Sequence, residues 1–201
     1  MIQPGNADDG EQVGDLYQIR QGDAAAGGEI WIPTVGPEFR SFRTRQNNIG
    51  NDDFDQIRAG ATAVISQCVN PEGPPAQTAG LVVGQIQSGK TLSMTALAAL
   101  ARDNRYPLVI FLTGIVNNLN NQNVARIAAD LGLYSAENAR NWRPFDRPVT
   151  QEDVGRLSSL IRSWAQPPGL FPHPTILITL LKNSTQIGNL TNILTRLEPV
   201  L

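Results

Sequence analysis

The sequence predicts an α/β fold built on a parallel sheet, and three observations carry that prediction. Short apolar runs at 79–83, 107–112 and 175–181 alternate with stretches of helical periodicity, and strand–helix alternation is the pattern of parallel strands joined by crossover helices. The runs Pro107-Leu-Val-Ile-Phe-Leu112 and Thr175-Ile-Leu-Ile-Thr-Leu-Leu181 are apolar at nearly every position, as strands covered on both faces are. The first run leads straight into a glycine-framed loop, Gly84 to Thr91, and then into a helical pattern.

Residues 1–30 are rich in Gly, Asp, Gln and Ala and read as a mobile start. Trp31-Ile32-Pro33 opens a more apolar stretch, so 31–75 reads as an N-terminal extension with one helix. That helix runs from about Asp53 to Cys68, because Phe54, Ile57, Ala61, Val64, Ile65 and Cys68 recur at helical spacing, with Asn51 or Asp52 as its cap. Arg40, Arg43 and Arg45 form a small basic cluster, read as solvated surface with a phosphate-facing role as the alternative. Asn70-Pro-Glu-Gly-Pro-Pro75 breaks the chain, since proline fixes φ and removes backbone donors, and the boundary of the second unit, 76–201, is placed there.

Within that unit, Ala79–Val83 reads as a strand and Thr91–Arg102 as a helix with Leu92, Ala96, Leu97 and Leu100 on one side. After the 107–112 strand comes a helix over Leu119–Leu131, stopped by Gly132. Residues 133–174 read as an irregular excursion around one helix. Thr150 and Asp153 form its capping box, Val154, Leu157, Ile161 and Trp164 its apolar face, and Pro167-Pro168-Gly169 its end. The 175–181 strand is followed by a last helix, capped by Ser184 or Thr185 and ending near Leu197.

Composition narrows the function. The chain has 201 residues, 41% hydrophobic, and a net charge of −2, which disfavours a simple basic nucleic-acid-binding module but leaves room for a local groove. One cysteine, Cys68, makes neither an internal disulfide nor a zinc cluster and reads as a buried small hydrophobe. The start of the chain has no basic or apolar leader segment, and no apolar stretch reaches the roughly 18 residues of a membrane span, so a cytoplasmic protein without a membrane partner is expected.

Gly84-Gln-Ile-Gln-Ser-Gly-Lys-Thr91 fits G-x-x-x-x-G-K-T at every fixed position. Gly84 and Gly89 let the main chain bend around an anion. The N–H groups from Gln87 and Ser88 to Thr91 form a nest for phosphate oxygens at a helix N-terminus. Lys90 neutralises the β- and γ-phosphates of ATP, and the Thr91 hydroxyl ligates Mg²⁺. Lys90 is one of only two lysines, the other being Lys182. Neither the 107–112 strand, which runs into Thr113-Gly114, nor the 175–181 strand, which runs into Lys182-Asn183, carries an acid at its exit. Hydrolysis needs such an acid, so the chain is expected to be the first part of a longer protein, with the acidic motif after Leu201 and no catalytic residue of its own; by itself it is expected to be inactive. The alternative is a protein that binds nucleotide without hydrolysing it.

The stretch from Gly80 to Thr91 resembles motif I of superfamily 2 helicase-like ATPases, and within them the bacterial Z1-domain proteins described as putative endonucleases. Ile86-Gln-Ser-Gly-Lys-Thr91 is similar to that family's Val-Gln-Ser-Gly-Lys-Thr, and Gly114-Ile-Val-Asn-Asn-Leu-Asn-Asn-Gln-Asn123 to its Gly-Ile-x-Asn-x-Leu-Arg-x-Gln-Thr, with Asn120 replacing Arg and Asn123 replacing Thr. Trp142, Thr150, Asp153 and Lys182-Asn183 sit where the family places similar residues. The resemblance covers about residues 78–201 and implies a RecA-like lobe truncated before its Walker B acid. It also implies ATP hydrolysis by the complete protein and an association with DNA processing or restriction-like defence. Asn120 in place of Arg removes one direct phosphate contact from that expectation.

The amide-rich run Asn117, Asn118, Asn120 and Gln122 suits either helix capping or sequence-independent contacts to nucleic acid. Lys182, at a strand exit, is either a surface lysine or a phosphate contact. His173, flanked by Pro172 and Pro174, has no metal-ligand or catalytic companion nearby in sequence. Trp31, Trp142 and Trp164 read as core or interface anchors. A small-molecule P-loop kinase, with Arg140, Arg143 and Arg147 in a lid, is the rival reading.

Overall fold

The computed structural model describes residues 18–20, 31–83, 90–114, 117–167 and 173–197. In chain order the elements are β1 (Gln18–Arg20), α1 (Pro37–Arg45), α2 (Asn51–Ser66), β2 (Leu81–Val83), α3 (Lys90–Asp103), β3 (Leu108–Thr113), α4 (Asn117–Leu131), β4 (Trp142–Asp146), α5 (Gln151–Trp164), β5 (Thr175–Leu181) and α6 (Ser184–Leu197). The α/β class holds: β3, β5 and β4 form a parallel sheet in that spatial order. β5 lies in the middle and is buried at all seven positions, which is why its sequence is apolar throughout.

Side chains on alternate faces of this sheet enter two separate cores. Phe111, Trp142 and Leu177 join a cluster with α1, α2, α3 and α4, whereas Phe145, Ile176, Ile178 and Leu180 pack with α5 and α6. The crossover from β3 to β4 thus runs by α4 on one face, and the return from β4 to β5 by α5 on the other.

β4 is a correction to the irregular excursion expected over 133–174. Trp-Arg-Pro-Phe-Asp pairs with Thr175–Thr179. Pro144 argues against a central strand but is compatible with an edge, where its missing N–H faces no partner. A second correction concerns β2. The apolar run at 79–83 does yield a strand, yet it pairs antiparallel with β1 rather than joining the parallel sheet, and Leu81 is 65% exposed. A short apolar run favours extended backbone; which edge it pairs with is a tertiary matter that periodicity does not encode. The strand β1 also lies inside the stretch expected to be mobile.

The extension read as one helix contains two. α1 begins with Pro37 and Glu38, both favourable in a first turn; only Phe39 and Phe42 supply its apolar face, too few to show periodicity. α2 opens after Gly50 with no side-chain cap bond, so neither Asn51 nor Asp52 caps it. Both helices share one hydrophobic cluster with α3. Ala96, Ala98, Ala99 and Ala101 of α3 are buried, and their small side chains let the neighbouring helices come close.

Polar groups fix this packing. The Asp103 carboxylate accepts from the backbone N–H groups of Gly36, Glu38 and Phe39, each at 2.9 Å, capping α1 from the end of α3. Burial pushes the Asp103 carboxyl up from its ordinary value against the pull of those donors, and the Glu38 carboxylate adds to the rise. Only part of the basic cluster is solvated surface: Arg40 is exposed, whereas Arg43 and Arg45 are half-buried. Arg43 donates to the carbonyls of Gln46 and Ile49 and lies over the Phe54 ring, while Arg45 donates to the Asp130 carbonyl and the Ser41 hydroxyl. Arg40 donates to the Val35 carbonyl.

Gly132 does end α4: its φ is +60°, and a Cβ there would stand 3.1 Å from the Arg45 guanidinium. Thr150 and Asp153 form the expected capping box on α5. α6 is capped instead by Asn183, whose Oδ1 accepts from Gln186 N. Trp31 Nε1 donates to the Cys68 carbonyl, and Cys68 itself is half-buried rather than buried.

Tyr106 gives this interface a pH signature. Its hydroxyl donates to the Val69 carbonyl at 2.6 Å, and burial, with a smaller contribution from Cys68, pushes it up to about 12. The folded state therefore holds the phenol proton more tightly than the unfolded chain, in which tyrosine ionises near 10. The stabilisation is full below that value and is lost as pH rises through the folded one. An absorbance titration should show a tyrosinate step near about 12, and the step should vanish in Tyr106→Phe; a variant that keeps it would refute the assignment.

Candidate nucleotide and ligand edge

The carboxyl end of the parallel sheet is the place to look for a site. In open α/β sheets, ligands bind beyond the carboxyl ends of the strands, where neighbouring strands send their helices to opposite faces. β3 and β5 meet that condition: they are adjacent and in register, with Thr113 opposite Leu181. β3 leads to α4 on one face and β5 to α6 on the other. Gly114 and Lys182 follow directly at this edge, and two helices begin beside it. The Thr113 hydroxyl donates to the Leu180 carbonyl at 3.1 Å, joining the two strand ends. Gln186 folds back so that its Oε1 accepts from Leu181 N at 2.6 Å. Lys182 is exposed at the mouth.

Asn117, Asn118 and Asn120 lie in the first turn of α4, the next described element after β3, and Gln122 of the same helix is exposed. The structure therefore brings Lys182 and the amide run to one edge. Gly84, Gln87, Ser88 and Gly89 lie outside the described residues. Lys90 is the first residue of α3, and Thr91 follows it, half-buried. β2 ends at Val83 and α3 starts at Lys90, so a strand precedes and a helix follows the segment 84–89. The described part of α3 meets the far end of α4: Thr95 faces Asp130 in the last turn of α4, at 3.4 Å.

One carboxylate at the sheet's carboxyl end escaped the sequence reading. Asp146 closes β4, accepts from the Thr179 hydroxyl at 3.2 Å, and is held by Arg147 at 2.8 Å. The signal for it was the Trp-Arg-Pro-Phe-Asp pattern, which Pro144 masked. Its two oxygens are already engaged, and it stands on the outer strand, separated from β3 by β5. A small cleft of about 80 Å³ opens beside it, lined by Val124, Tyr134, Pro144, Asp146 and Thr179. Arg143 and Arg147, read as lid arginines in the rival scheme, bond to local groups: Arg143 to the carbonyls of Ala139 and Trp142, Arg147 to Asp146.

Among the described residues no group of three or more His, Cys, Asp and Glu is placed to hold a metal ion. None of their helices is long and apolar enough to cross a membrane. His173 Nε2 lies 2.9 Å from the Gln166 carbonyl, and its ring packs on Trp164. The chain matches no family model, no curated protein and no solved structure.

Proposed function

We propose that the chain is the nucleotide-binding first part of an ATP-dependent, helicase-like enzyme with a RecA-like lobe, acting on DNA in processing or restriction-like defence. The observation that carries this reading is the sequence Gly84-Gln-Ile-Gln-Ser-Gly-Lys-Thr91, set between a strand that ends at Val83 and a helix that begins at Lys90. The first N–H groups of any α-helix lack intrahelical partners. In α3 they fall on Lys90 and the residues after it, where the loop needs donors for phosphate oxygens. The same residues suit Mg²⁺–ATP chemically: Lys90 supplies an ammonium for the terminal phosphates and Thr91 a hydroxyl ligand for the ion. When bound, the Mg²⁺–triphosphate supplies the phosphoanhydride whose cleavage drives the enzyme. The residues of this chain bind and orient it, and a carboxylate from the rest of the protein activates water. DNA would track along the carboxyl edge through Asn117, Asn118, Asn120, Gln122 and Lys182, contacting phosphate and sugar without reading sequence.

The test is Lys90→Ala in the complete protein, with Mg²⁺–ATP affinity measured by calorimetry. Affinity should fall at least about tenfold, equal to about 1.4 kcal/mol. Unaltered affinity would remove the nucleotide reading and the motor assignment with it.

A further inference from the structure

We infer that Asp130 is a positioning residue through which the N-terminal helical pair holds the first half of α3, so that nucleotide affinity depends on the extension; the affinity part rests on the nucleotide reading above. Two elements, α1 and α3, converge on this residue of α4, whose carboxylate also faces Arg126 of its own helix at 3.9 Å. From the end of α1, Gln46 Nε2 donates to Asp130 Oδ1 at 3.0 Å, and Arg45 Nε donates to the Asp130 main-chain carbonyl at 2.8 Å. From α3, the Thr95 hydroxyl reaches Asp130 Oδ2 at 3.4 Å. Thr95 lies one turn below Thr91, and its hydroxyl also bonds back to the Thr91 carbonyl at 2.9 Å. The single proton of that hydroxyl is shared among Asp130 Oδ2, the Thr91 carbonyl and the Leu92 carbonyl at 3.0 Å, so Asp130 touches both the end of α1 and the turn of α3 that follows Thr91.

The surroundings make this choice of residues informative. Thr95 is wholly buried and Gln46 nearly so, against a helix whose other buried residues are Ala and Leu. Apolar side chains of similar size would pack there without the cost of desolvating a carboxylate, an amide and a hydroxyl. What the polar set adds is one preferred register of α3 against α1 and α4, because a slip of α3 would take the Thr95 hydroxyl away from Asp130 and leave that carboxylate one donor short. Linkage then works in both directions: docking of the extension favours the nucleotide-ready α3, and nucleotide stabilises the docked extension by the same factor.

Asp130→Ala, Gln46→Glu, Asp130→Asn and the double variant Gln46→Glu/Asp130→Asn in the complete protein test this. The double variant reverses donor and acceptor and restores the bond that each single change disrupts. With no nucleotide present, Asp130→Ala should speed amide hydrogen exchange over residues 92–96 about tenfold more than over 99–103. It should weaken Mg²⁺–ATP binding at least about fivefold, and the double variant should recover most of both losses. Uniform exchange along α3, or wild-type ATP affinity in Asp130→Ala, would overturn the inference. A wild-type protein without ATP affinity would refute the nucleotide reading instead, and the exchange measurement would still decide the role of Asp130.

Discussion

Glu38→Ala is expected to destabilise the fold by about 3–5 kcal/mol, the usual cost of stripping one partner from a buried ionic network. Glu38 is 3% exposed. Its Oε1 accepts from Asn138 Nδ2 at 2.6 Å and its Oε2 from Asn141 Nδ2 at 3.1 Å. Arg45 stands 3.4 Å away, and the Arg102 guanidinium 3.7 Å away. Burial pulls the Arg102 guanidinium down from its ordinary value, and the Glu38 carboxylate is the largest influence opposing that. Removing the carboxylate leaves Arg102, whose side chain is only 9% exposed, with carbonyl and side-chain oxygen acceptors and only the weaker influence of the Asp103 carboxylate as countercharge. Urea unfolding of the wild type, Glu38→Ala, Arg102→Met and Glu38→Ala/Arg102→Met gives the measurement. The double variant should lose less than the sum of the two single changes, because the unpaired charge goes with the arginine. Simple additivity would show that the pair is not coupled.

That network also marks where the sequence could and could not be read. The central strand β5 and the helices α4, α5 and α6 were legible, because each has either a continuous apolar run or a regular apolar stripe. The Thr150–Asp153 capping box and the Gly132 stop were legible because each residue type has a local backbone reason to be there. Glu38, Asn138 and Asn141 were not, since their partners lie far along the chain and nothing local distinguishes a buried Glu from a solvated one. The same holds for Arg43 and Arg45, which local composition suggests are exposed and tertiary contacts place against carbonyls. β4 was hidden by Pro144, and Asp146 with it. Of the candidate site, the loop residues Gly84 to Gly89 fall outside the described structure. The grouping of Lys182 with the α4 amides follows from strand order, which periodicity does not contain.

Phe42→Ala is expected to cost about 3–5 kcal/mol, through lost transfer free energy and the cavity left behind. Phe42 is fully buried. Its ring lies 5.7 Å from that of Phe39 and 5.8 Å from that of Phe54, both tilted, so one side chain links the two helices of the extension. The size of the effect follows from rigidity: Asp103 fixes the start of α1, and Arg43 and Arg45 fix its end. The helix therefore has little freedom to collapse into the void, and the loss should sit in the upper half of that range. The manner of unfolding discriminates further. Phe42 belongs to the same cluster as Leu100 of α3, Ile127 of α4 and Trp142 of β4, with no break in that cluster at the proline-rich segment 71–75. Loosening α1 should therefore lower the stability of the sheet as well. In a background with Trp31 and Trp164 replaced by Phe, so that fluorescence reports Trp142 alone, fluorescence and far-ultraviolet dichroism should shift together to a lower urea midpoint in a single transition. Two separated transitions, with the sheet unfolding at its wild-type midpoint, would show that the extension is an independent unit attached to α3, and would remove the mechanical basis for a link between Gln46 and Thr91.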